Sequence, residues 1–230
     1  VKARFDDNQT PLHVVSRLGQ VDVLRRLIAS NAERDAENDD KETPLCLAAR
    51  SGCKEVTDEL LRHQAKVNHR NVMGRTPLQE ASENGHHAVA IALIDRQARF
   101  NDKDKYEWAA LHMASRAGNS DVVRVLLDRG ADVNIRDDLG WTALHMASQK
   151  GHQDVVELLL SKNADVNAEE DVRGETALHL AAYYGHFSVA RLLINADADR
   201  TIQNKDDETP LSLARREGHQ DIEVLLGGGG

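Results

Sequence analysis

At 230 residues the chain could hold one or two ordinary domains, and with 40% apolar and 29% charged residues it lies far from the composition of a disordered protein. Aromatic residues make up only 3%, so burial must come from many small Leu, Val, Ile and Ala contacts, and a net charge of -9 opposes a duplex-binding surface. Nothing reads as a membrane span or a secretion signal, and Cys46 and Cys53 are too few for a disulfide framework; they read as reduced thiols of an intracellular, cytoplasmic or nuclear, protein.

In chain order, Val1-Lys2-Ala3-Arg4 comes first and lines up with Val133-Asn134-Ile135-Arg136, the tail of a unit rather than its start. Thr10-Pro11-Leu12-His13 then predicts a helix. Thr at the N-cap can accept from the unpaired N–H groups of the first turn, and Pro at the next position loses an N–H that would have had no partner. The pattern returns at Thr43-Pro44-Leu45-Cys46, Thr76-Pro77-Leu78-Gln79, Ala109-Ala110-Leu111-His112, Thr142-Ala143-Leu144-His145, Thr176-Ala177-Leu178-His179 and Thr209-Pro210-Leu211-Ser212. The spacing is 33 residues, with one step of 34 that places an extra residue near Glu169-Glu170. A glycine follows nine residues after each start, from Gly19 to Gly218, and ends the helix. A second apolar-periodic segment comes next, as in Val155-Val156-Glu157-Leu158-Leu159-Leu160, and then a polar turn such as Asp137-Asp138-Leu139-Gly140.

Each unit is therefore a helix, a turn, a helix and an extended loop, and two helices this short cannot hide their own apolar faces. Neighbouring units must cover them. The period and the Thr-Pro-Leu-His pattern resemble the ankyrin repeat, over the whole chain apart from the terminal glycines. The resemblance implies an all-α fold, an α-solenoid of stacked helix-turn-helix repeats with β-hairpin-like loops, forming a curved body. One repeat domain is expected over residues 1–226, with repeats starting near 5, 38, 71, 104, 137, 171 and 204, the last truncated; 227–230 reads as a glycine linker or tail. The first repeat carries no polar cap of its own, which suggests a piece of a longer array. Arg215-Arg216-Glu217 puts charge where other repeats carry small residues, which suits an exposed end. Gln64, Gln97 and Asp197 stand where Gly130 gives an easy left-handed turn, a departure that argues against a consensus design.

Eleven histidines invite a metal hypothesis. Eight follow the repeat, however: His13, His112, His145 and His179 at one framework position, and His86, His152, His186 and His219 just after the shared glycine. The resemblance implies that the first four bond backbone or Thr groups of their own and the next repeat. His63, His69 and His87 lack carboxylates or cysteines at zinc spacing and read as surface residues. No catalytic motif, phosphate-cradling loop or nucleophile–base pair is present, so the chain reads as a non-enzyme with no cofactor, metal or small-molecule substrate.

In the family the variable positions are the loop tip before the Thr and the outward end of the first helix, which line a concave groove. There the chain places Val72, Met73 and Arg75; Tyr106, Trp108 and Arg116; Leu139, Trp141, Gln149 and Lys150; and Arg173, Tyr183 and Tyr184. Exposed Trp, Tyr and Arg are the residues of binding hot spots. The groove is expected to take another protein or a peptide segment, and the acidic tips Asp6-Asp7, Asp39-Asp40 with Glu42, and Asp206-Asp207-Glu208 point to a basic one. The alternative for the rings is packing within the stack. Asn68, Asn134 and Asn167 match a family asparagine that is a hydroxylation target, with loop capping as the structural reading. Alternative roles for the chain are a regulatory or autoinhibitory segment of a larger enzyme, receptor or channel, and an engineered fusion.

Overall fold

A computed structural model describes residues 3–228. Among them are fourteen α-helices and no strand, with a short 3-10 turn at Asp6–Asn8. The chain divides into two compact units, Val1–Ala114 and Ser115–Gly230.

The first unit holds α1 (Pro11–Arg17), α2 (Val21–Ala29), α3 (Pro44–Arg50), α4 (Lys54–Arg62), α5 (Pro77–Glu83) and α6 (His87–Ile94); the boundary falls within α7 (Ala110–Ala117). The second holds α8 (Ser120–Asp128), α9 (Ala143–Lys150), α10 (Gln153–Ser161), α11 (Ala177–Tyr183), α12 (Phe187–Asn195), α13 (Pro210–Glu217) and α14 (Gln220–Gly227). The first glycine of the terminal run is thus helical, and Gly229 and Gly230 lie outside the described residues.

The helix starts follow the sequence rule. Thr10, Thr43, Thr76, Thr142 and Thr209 are N-caps in extended conformation, and each hydroxyl accepts from the backbone N–H three residues on. First helices pack on first helices and second on second: α1 on α3 and α3 on α5 in the first unit, α9 on α11 and α11 on α13 in the second. Alanine makes the close approach feasible, and Ala48, Ala81, Ala147 and Ala181 are fully buried among Leu45, Leu60, Leu78, Leu144, Leu159 and Leu178.

One glycine shows why the Gly-His pair recurs. Gly52 has φ +71°, and a Cβ there would lie 2.5 Å from the ring of His86. That ring sits against the glycine, and its Nε2 donates to the carbonyl of Arg50 at 3.0 Å, tying α5–α6 to the repeat before. His186 repeats the arrangement over Gly151 and the carbonyl of Gln149.

After the second helix Gly130 has φ +91°, while Gln64, Gln97 and Asp197 hold the same left-handed turn at φ 63°, 68° and 61°. A side chain makes this conformation costly, by about 1–2 kcal/mol, and part of that returns as the extra unfolded-state freedom of glycine. Gln97 is exposed, and its backbone carbonyl, which accepts from Asn68, survives substitution. Gln97→Gly is therefore expected to stabilise the first unit by about 0.5–1 kcal/mol, read as a higher urea midpoint; a lower midpoint would show that the turn is unstrained.

Candidate partner-binding surfaces

From the second repeat on, each loop is closed by one polar side chain. Asn71 Oδ1 accepts from the N–H groups of Met73 and Arg75, Asp104 Oδ1 from those of Tyr106 and Trp108, and Asp137 Oδ1 from those of Leu139 and Trp141. The loop with the extra residue uses Glu170 instead. Its longer side chain reaches the N–H groups of Val172, Arg173 and Glu175, so one added methylene matches one added residue. Single backbone bonds then join tip to tip within a unit: Val72 N to Asp40 O and Lys105 N to Met73 O in the first, Asp171 N to Leu139 O and Lys205 N to Arg173 O in the second. The tips are fixed before any partner arrives, which lowers the ordering cost of binding.

In the first unit Met73 and Tyr106 are exposed, Tyr106 at 54%, whereas Val72 and Trp108 are half-buried. Trp108 is anchored through its backbone carbonyl, which accepts from Gln79 Nε2 at 2.6 Å. Arg75 is committed elsewhere: its guanidinium pairs with Glu83 at 2.5 Å and with buried Asp104 at 3.4 Å, so it braces the tip rather than awaiting a partner. Glu42, expected on an acidic rim, is buried and paired with Arg50 because the residue before the Thr turns inward toward the end of the first helix. Asp6, Asp7, Asp39 and Asp40 are exposed.

In the second unit Arg116, Leu139, Lys150, Arg173 and Tyr184 are exposed, and Trp141, Gln149 and Tyr183 are half-buried. The Trp141 ring lies 5.8 Å from that of His145. Tyr183 is covered by the guanidinium of Arg216, 5.6 Å from its centroid, and meets Tyr184 edge-on at 4.9 Å, so it presents an edge rather than a face. Arg173 pairs with Asp206 at 3.1 Å and Glu208 with Arg216, while Asp206 and Asp207 remain exposed.

The brace linking the residue before the Thr to the end of the first helix recurs, as Glu42 with Arg50, Arg75 with Glu83 and Glu208 with Arg216. Sequence reasoning missed it, although the signal was present: opposite charges eight residues apart, with the order reversed in the third repeat.

The buried histidines are structural. Nδ1 of His145 faces the N–H of Thr142 at 3.1 Å, and its Nε2 faces the carbonyls of Ala168 and Glu175 at 3.0 and 3.1 Å. His13 and His179 repeat the pattern with Thr10 and Glu42, and with Thr176 and Glu208. His69, expected at the surface, is half-buried with Nε2 2.7 Å from the carbonyl of Lys41. Among the described residues no three His, Cys, Asp or Glu side chains converge as a metal would require. The tail asparagines serve as inter-repeat acceptors: Asn68 Oδ1 takes the N–H of Arg99, Asn134 that of Asp165 and Asn167 that of Asp199.

A family model described as ankyrin repeats in three copies matches residues 12–104, 64–137, 100–170 and 168–229. The chain belongs to the ankyrin-repeat family. The ankyrin repeat domain of human ASB11 superposes with a TM-score of 0.86 at 25% identity, covering 94% of this chain and 97% of that one. The ankyrin repeat domain of Bcl-3, a member of the IkappaB protein family, gives 0.80 at 28% identity, covering 95% and 100%. Comparison with curated protein sequences gives no match. The fold is thus an ankyrin solenoid, and such folds are generally protein–protein interaction modules without catalytic chemistry. No helix among the described residues is long and apolar enough to cross a membrane.

Proposed function

We propose that this ankyrin domain binds a partner protein through its loop tips and first-helix ends, in the cytoplasm or nucleus. One observation carries the reading. In the second to sixth repeats every exposed large apolar side chain among the described residues, Met73, Tyr106, Leu139, Val172 and Tyr184, sits at a tip or at the end of a first helix. Apolar side chains left exposed at preformed positions are what a partner can desolvate, and such anchors cost about 2 kcal/mol or more when truncated. The exposed Asp6, Asp7, Asp39 and Asp40 of the first unit favour a partner segment bearing Lys or Arg.

Because Trp108 and Trp141 are half-buried, their truncation mixes binding with stability. Tyr106→Ala with Leu139→Ala is the cleaner test. Immobilised chain used to capture partners from a lysate, beside this variant, is expected to lose its specific partner about 30-fold in affinity with melting unchanged, and the wild-type affinity should fall as salt rises. Equal affinity for both proteins would sink the assignment of the tips, and a salt-independent affinity would sink the basic partner alone.

A further inference from the structure

We infer that the outward face of the first repeat, formed by Val14, Val23 and Leu27, is a docking surface for the helix pair of one more ankyrin repeat entering from the N-terminal side. The seventh repeat shows which way these positions face. It has only a preceding neighbour, yet Leu213, Ile222 and Leu226, the counterparts of Val14, Val23 and Leu27, are buried there. The first repeat has only a following neighbour, and Val23 is 43% exposed where Val56, Val89, Val155 and Val189 are at 0–1%. Val14 and Leu27 are half-buried where Leu47 and Leu60 are sealed. The first repeat therefore carries the apolar side of an ordinary repeat interface, with a hollow of about 310 Å³ beside Leu27 and Pro11.

The opposite end is built differently. On the following side, where the first repeat buries His13, Ser16 and Leu24, the seventh carries Ser212, Arg215 and Glu223, with Arg215 and Glu223 paired at 2.9 Å across that face. Those side chains close the seventh repeat toward water, and nothing comparable among the described residues closes the first. This mostly polar face, with Leu211 half-buried on it, also gives a second copy little apolar complement, which disfavours head-to-tail self-association as the cover.

An independent contact points the same way. Arg4 donates to the carbonyls of Asn8 and Glu37 at 2.7 and 2.9 Å. Arg70, at the end of a complete repeat, makes the same pair of contacts to Gly74 and Lys103, and Arg136 reaches Glu169 in the same way. The backbone around Arg4 is thus wired as the tail of a repeat whose helices would lie over Val23.

The test joins a copy of residues 104–132 ahead of Val1, in register with the alignment of Val133 to Val1, and compares it with the 230-residue chain, both with Cys53→Ser. A Val23→Cys probe reports the face through its rate of maleimide labelling. The docked repeat should raise the melting temperature by about 5 °C or more and slow labelling at position 23 by at least about 100-fold. Unchanged labelling and melting, including the case in which the added segment stays unfolded, would overturn the inference. So would a concentration-dependent dimer of the shorter chain whose formation protects position 23, since a second copy would then be the cover.

Discussion

Arg50→Ala is expected to destabilise the first unit by about 3 kcal/mol, far more than a surface arginine would cost. The guanidinium itself is partly exposed, but its two partners are not: the side chain of Glu80 is 2% accessible and that of Glu42 is buried. Arg50 Nε donates to Glu80 Oε2 at 2.8 Å, and its Nη2 donates to Glu42. The other carboxylate oxygens are held by amides, Glu80 Oε1 by Asn71 and Glu42 Oε2 by Asn38, both at 3.3 Å. Removing the arginine leaves two buried carboxylates with one neutral donor each, and uncompensated buried charge is what makes such a truncation expensive. The solvent-facing edge of Arg50 lets water in, which puts the effect at the low end of the range for buried pairs. Glu80→Gln in the same background should restore part of the loss by removing one charge while keeping hydrogen-bonding capacity. Urea unfolding of the single and double variants checks both statements. A loss below about 1 kcal/mol for Arg50→Ala, or no recovery in the double variant, would show that the network is an ordinary surface brace.

That network marks the limit of what could be read from the chain alone. Helix starts, the shared glycine and the positions of the tips were all legible, because each depends on residues within about ten positions of one another and recurs at the 33-residue spacing. Left-handed Gln64, Gln97 and Asp197 could be placed by alignment with Gly130. The fates of Arg75, Glu42, Tyr183 and His69 could not. Each depends on where a long side chain folds back: Arg75 onto Asp104, 29 residues on, and Tyr183 under Arg216 of the next repeat. A map of variable positions identifies which side chains leave the framework but not which of them the neighbouring repeat then claims. Met73, Tyr106 and Leu139 remain on the candidate surface because apolar tips find no such partner, and Tyr184 remains exposed although its ring meets Tyr183.

Acidification from pH 7 to about 4.5 is expected to cost the second unit up to about 3 kcal/mol through His145 alone. The ring is locked in its neutral form by geometry. Carbonyls can only accept, so the contacts of Nε2 with Ala168 and Glu175 place its proton there, and Nδ1 must then accept from the N–H of Thr142. Protonating Nδ1 would turn a second N–H toward that of Thr142 in a buried site, with only the Thr142 hydroxyl, 2.9 Å away, to accept from it. Burial, opposed by the two carbonyl bonds, accordingly drives the His145 pKa down to about 4 from 6.5. Between those values the unfolded chain binds a proton that the folded chain refuses, so stability is complete above pH 6.5 and is lost as pH falls toward 4; the gap corresponds to about 3 kcal/mol. Burial lowers His13 and His179 as well, which adds losses of the same sign. Glu175 shifts the other way, since burial raises its carboxyl and acidification relieves it, so the parent protein alone would give a blurred profile. The third repeat supplies the control. There Gln79 fills the histidine position, accepting from Thr76 N at 2.7 Å and donating to Asp102 and Trp108 carbonyls, and it cannot titrate. His145→Gln should therefore match the parent within about 1 kcal/mol at pH 7 and exceed it at pH 4.5, with a flatter dependence between. Parallel pH profiles for the two proteins would mean that His145 keeps an ordinary pKa in the folded state and that its buried ring accepts the second proton after all.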